Sequence, residues 1–143
     1  MRKMVRRALW VAIVVMAVGL SGSPGSAQTT ALARLMRQKL DHAQALLAAV
    51  TTSNWQQLEQ HSEALVQITN DPAWIVLRTP EYTRQSQAFL RATEEMVDAA
   101  KRRDPDAAPL AYVSLTLSCV QCHRYVARAR VADAHQALSL PPG

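Results

Sequence analysis

From residue 30 onward, apolar side chains recur every three or four positions along most of the chain. Between Thr30 and Val50 the series is Leu32, Leu35, Met36, Leu40, Ala43, Leu47 and Val50, with Arg34, Arg37, Gln38, Asp41 and Gln44 between them. That period puts one apolar stripe on an amphipathic helix of about six turns. Thr51-Thr52-Ser53-Asn54 interrupts it with residues whose side chains cap helices, and Trp55, Leu58, Ser62, Leu65 and Thr69 mark a second stripe up to Asn70. A break this short predicts an antiparallel pair. Asp71 to Thr79 holds Pro72 and precedes Pro80, so it is expected as a loop; Trp74, Ile75, Val76 and Leu77 are too apolar for free solvation and should fold over an opening in the core.

Thr79-Pro80-Glu81 has the order of an N-cap, a proline at the first helical position and a first-turn acid. Tyr82, Phe89, Met96 and Ala100 form the seam of a third helix, which ends in Lys101-Arg102-Arg103, a sequence suited to the negative end of a helix dipole. After Asp104-Pro105-Asp106 a fourth helix is expected from about Ala108 to about Gln136, with Leu110, Val113, Leu117, Val120, Val131 and Leu138 as its apolar spine. Four amphipathic helices with short connectors predict an all-α fold, a four-helix up-and-down bundle.

Glycine usage narrows the alternatives. The four glycines are Gly19, Gly22, Gly25 and Gly143, so none falls between Gln28 and Pro142. A Rossmann fingerprint, a P-loop, a nucleophile elbow and tight type I′ or II′ hairpins all depend on glycine where backbone turns sharply or approaches a ligand. The 143 residues suit one domain, and a single Phe makes its core thin, leaving room for a prosthetic group.

The net charge of +5 would suggest a nucleic-acid or membrane partner, but Arg2, Lys3, Arg6 and Arg7 crowd the first ten residues. They precede the apolar run Ala8 to Leu20 and then small residues, including Gly25 and Ala27, which is the layout of a secretory signal over residues 1–27 cleaved before Gln28. The apolar run is short for a bilayer span, and a retained N-terminal anchor is the alternative. Removing those four charges leaves twelve basic residues against eleven acidic ones, all of which follow Gln28, so the domain of residues 28–143 has no electrostatic case for binding nucleic acid. Export to the periplasm is expected, with no membrane span after cleavage.

The chain's two cysteines lie in Cys119-Val120-Gln121-Cys122-His123, the C-x-x-C-H pattern of c-type haem attachment. On a helix at about 100° per residue, Cys122 lies about 60° to one side of Cys119 and His123 about 40° to the other, so all three share a surface. Two thiols can then add to the two vinyl groups on one haem edge while the imidazole reaches the iron. A disulfide between them would close a very short loop on one helix, which rarely suits disulfide geometry. A thioredoxin-type C-x-x-C follows a strand, which this pattern lacks. A structural zinc site needs a fourth ligand, and none stands at a motif spacing.

A four-helix pattern with C-x-x-C-H near the end of the last helix resembles the cytochrome c′ family, the class II cytochromes c, over Ala31 to Leu138. The resemblance implies one covalent haem c on Cys119 and Cys122 with His123 as an axial ligand. It also implies that the other side of the iron is left open beside an apolar first-helix residue or closed by a methionine at that position. Met36 stands in the first-helix stripe, nineteen residues before Trp55, close to the family's spacing, whereas Leu40 falls short. Met36 is therefore the expected second ligand, and a His/Met pair raises the reduction potential in a way that suits electron transfer. A stripe methionine is also ordinary packing material. His42 sits about 240° around the helix from Met36, away from the stripe, and His61 and His135 read as solvent-facing or helix-end residues. Arg34 and Arg37 are candidates for the haem propionates, because an arginine fork pairs well with carboxylate. The family usually has an aromatic residue three and a basic residue four positions after the ligand histidine; here Tyr125 and Arg128 stand at two and five, the mark of a divergent member.

These features predict a periplasmic mono-haem electron carrier with redox proteins as partners, in a family where homodimers are common. The alternative is a five-coordinate protein that binds nitric oxide or carbon monoxide. A haem-free helical interaction protein is a third reading. No Ser/His/acid set suggests an enzyme, and Glu94 and Glu95, on neighbouring helix positions, diverge.

Overall fold

The structure, a computed structural model, describes residues 24–139, with side chains described over residues 28–136. Four helices follow one another: α1 (Pro24–Thr51), α2 (Trp55–Ile68), α3 (Pro80–Arg102) and α4 (Ala107–Ser139), with a 3-10 turn at Pro72–Trp74 between α2 and α3. There is no strand among the described residues. The leader expected over residues 1–27 lies almost wholly outside the described residues, and α1 starts at Pro24, earlier than the stripe alone indicated.

The helix boundaries follow from local chemistry. Asn54 caps α2 by accepting the Gln57 N–H at 3.2 Å, Asp71 caps the 3-10 turn through the Ala73 N–H at 2.7 Å, and Thr79 caps α3 through the Tyr82 N–H at 3.2 Å. Pro80 fills the first position of α3, where a missing N–H costs nothing. Two turns close without glycine: Ser53 and Arg103 both take the left-handed conformation, with φ of 53° and 52°. Arg103 ends α3 there, its N–H bonded to the Ala100 carbonyl at 3.0 Å.

Consecutive helices pack side by side, α1 on α2, α2 on α3 and α3 on α4, in an all-α four-helix bundle. The circuit does not close: α1 and α4 touch little. Leu46, Leu58, Leu65, Phe89, Met96 and Leu115 form the fully buried centre. Ser62 and Thr93, buried on α2 and α3, return their hydroxyls to the Leu58 and Phe89 carbonyls one turn back, at 2.7 and 2.8 Å. Each satisfies itself within its own helix and lets neighbouring backbones approach.

Ile75 faces outward, but Trp74 closes the core as expected, with Val76 and Leu77 half-buried beside it. Its ring lies 5.2 Å from that of Phe89, its indole N–H donates to Ser86 at 3.1 Å, and the Tyr82 hydroxyl donates to its carbonyl. Among the described residues no helix is long and apolar enough to cross a membrane.

Two expected faces are rotated. On α4 the row Leu110, Val113, Leu117, Val120 and Val131 is exposed, and Ala108, Ala111, Leu115 and Ser118 are buried instead; Leu138 lies outside the described side chains. Ala108, Ala111 and Ser118, small side chains around the single Leu115, let α4 lie close against α3, which a row of leucines and valines would hold off. On α1, Leu40 and Leu47 face outward, while Leu35, Lys39, Leu46 and Ala49 turn in.

Candidate functional site

The open seam between α1 and α4 is a cavity of about 450 Å³, within the range of small-ligand sites. From α1 it is lined by Thr29, Leu32, Ala33, Met36 and Lys39, and from α4 by Cys122, His123, Val126, Ala127 and Arg130. Trp74, Val76 and Tyr82 complete it from the loop and the start of α3. The walls are mostly apolar, with a thiol, an imidazole, a thioether and an amine among them.

Helical spacing puts Cys122 and His123 on this cavity, one after the other on α4. Cys119, a turn earlier, is half-buried and packs against the core beside the cavity. Both thiols are free of disulfide. Burial pushes the Cys122 thiol above its ordinary value, while the Lys39 charge draws it down. Burial, and then Lys39, holds His123 below the ordinary imidazole value, which keeps its nitrogen lone pair available. Met36, half-buried and packed against the core cluster, reaches the cavity from α1.

The motif is held in place from below. Tyr125 and Thr79 share a hydrogen bond of 2.7 Å between hydroxyls, which ties α4 just past His123 to the residue that caps α3. Tyr125 is thus a positioning residue, and only its aromatic character was legible in the sequence.

The structure brings Met36, Cys122 and His123 to one cavity, with Cys119 adjoining it. Arg34 and Arg37 are exposed and do not line it; the arginine that does is Arg130. Arg130 stands eight residues beyond Cys122, about 12 Å along the helix. The residue that sequence reasoning missed altogether is Lys39. It is 5% exposed, and its Nζ lies 3.8 Å from the centre of the Phe89 ring and 4.7 Å from that of Trp74. A lysine inside an apolar stripe reads as a solvated edge, and nothing in the sequence marked it otherwise.

The remaining histidines separate. His42 and His61, half-buried, meet across the α1–α2 seam, which corrects the expectation of a solvent-facing His61; His135 is exposed. Among the described residues no three His, Cys, Asp or Glu side chains gather into a site for a bare metal ion. No protein-family model, no curated protein and no solved structure matches this chain.

Proposed function

We propose that the chain is an exported mono-haem c-type cytochrome of the cytochrome c′ type, which passes single electrons between redox proteins and is not an enzyme. The observation that carries this reading is that the C-x-x-C-H segment meets a mostly apolar cavity at the open seam of the bundle, with Met36 on the facing helix. The residues fit the group. Cys119 and Cys122 are free thiols on one helical surface, able to form the two thioethers, and His123 offers a neutral nitrogen. Among the described residues the seam is the flank of the bundle where neighbouring helices touch least.

When bound, haem supplies an iron that changes valence by one electron. The chain's own residues do the rest. His123 and Met36 would hold the iron from the two facing helices and leave it no exchangeable ligand, so that little rearrangement would accompany electron transfer. Leu32, Val76 and Val126 exclude water from the cavity and raise the potential by keeping the surroundings apolar. Arg130 offers a guanidinium at the far end of the cavity for a propionate, the role that the sequence suggested for Arg34 and Arg37. Electron partners meet the exposed edge of the seam, and a homodimer is the assembly the resemblance implies.

The test is the visible and near-infrared spectrum of the purified exported protein. A low-spin ferric spectrum with the near-infrared band of methionine ligation is the expected result. A high-spin spectrum that shifts with carbon monoxide would replace it with the gas-binding reading. A colourless protein with free thiols would leave the haem-free interaction protein.

A further inference from the structure

We propose that Lys39 is a reserve axial ligand, its amine taking the sixth position on the iron, opposite His123, when the Met36 sulfur leaves. This deepens, and rests on, the haem reading given above. Met36 and Lys39 are three residues apart on α1, about 60° around the helix and about 4.5 Å along it, so they are surface neighbours, and both line the same cavity.

A lysine is almost never buried without a charged partner. Lys39 is buried, and among the described residues no carboxylate forms an ion pair with it. Its stem carries the nitrogen inward over the Phe89 and Trp74 rings. Lys39 lines the same cavity as Cys122 and His123, which reach it from α4. The ring faces favour an ammonium, but they replace only part of the water it has lost; burial favours the neutral amine, and the two cysteines, which oppose that as thiols, carry no charge as thioethers. A neutral primary amine held in an apolar cavity is a nitrogen donor for iron. The exchange breaks an iron–sulfur bond and forms an iron–nitrogen bond; the iron keeps its valence, and a proton carried by the amine passes to water. The result is a site that stays six-coordinate and closed to small ligands.

The experiment uses the ferric full-length holoprotein at neutral pH and compares Met36→Ala, Lys39→Arg and Met36→Ala/Lys39→Arg by electron paramagnetic resonance and visible spectra. Covalent haem content is measured for each. Arginine keeps the length and charge of the side chain but offers no free lone pair. The proposal expects Met36→Ala to lose the near-infrared methionine band yet stay low-spin, and the double variant to turn high-spin. Lys39→Arg alone should keep the methionine band. A Met36→Ala protein as high-spin as the double variant overturns the proposal while leaving the electron-carrier reading intact. Absence of covalent haem from the unsubstituted protein overturns both.

Discussion

The Nδ1 atoms of His42 and His61 lie 2.9 Å apart across the α1–α2 seam, with the rings tilted at 50° and the His61 Nε2 bonded to the Gln57 side chain at 3.1 Å. One ring must donate and the other accept, so the contact admits at most one imidazolium. Burial first, and then the neighbouring His61, holds His42 below its ordinary value of 6.5, with Asp41 pulling weakly the other way.

This pair makes stability depend on pH. A lowered folded pKa means that the unfolded chain binds more protons, so the His42 contribution is complete above about pH 6.5 and is lost as pH falls through the folded value. Each pH unit in that window changes stability by at most about 1.4 kcal/mol per proton. Urea midpoints between pH 7.5 and 5 should fall with acid in the parent, and the slope should flatten in His42→Gln. An equal slope in both would place the acid sensitivity elsewhere.

The inward face of α4 predicts a sharp contrast between two leucines two positions apart. Leu115 is 1% exposed and Leu117 is 53% exposed. Leu115→Ala should cost about 2 to 5 kcal/mol in chemical denaturation, and Leu117→Ala about 0.5 kcal/mol or less. The reverse order would restore the face that apolar bulk alone suggested.

Arg103 predicts a gain. A non-glycine residue in the left-handed region costs roughly 1 to 2 kcal/mol, and glycine gives back part of that through its greater freedom in the unfolded chain. Arg103→Gly should therefore stabilise the protein by about 0.5 to 1 kcal/mol, read as a higher urea midpoint at unchanged slope.

Cofactor attachment is checked by mass. Cys119→Ala/Cys122→Ala should lack the mass of a covalent haem and lose its pigment on acid-acetone extraction. Pigment that resists extraction from this variant would rule out thioether attachment.

Tyr125→Phe tests the tie between the motif and the start of α3. Removing the half-buried Tyr125 hydroxyl, and with it the bond to Thr79, should cost about 1 kcal/mol. In the holoprotein it should also shift the low-spin spectrum, because the His123 turn loses its anchor, whereas Tyr112→Phe, remote from the cavity, should leave the spectrum unchanged.

The amino-acid sequence by itself determined the four helices and most of their boundaries. Helical period, Thr51-Thr52-Ser53-Asn54, Thr79-Pro80-Glu81 and the C-x-x-C-H pattern are local signals, each complete within a few residues, whereas the 3-10 turn capped by Asp71 lay in a segment read as a loop. What only the tertiary structure decided was phase and partnership. On α4 two faces carry helical spacing, one all leucine and valine and one mostly small around Leu115, and a period read along the chain does not say which turns inward. Packing turned Ala108, Ala111 and Ser118 inward around Leu115, because small side chains bring helix axes closer. The same holds for Lys39, whose burial depends on Trp74 and Phe89, side chains distant in sequence that meet only once the loop folds over the core. His42 and His61 likewise became a pair only when α1 and α2 docked, since the distance between two side chains on different helices is a property of the packed bundle.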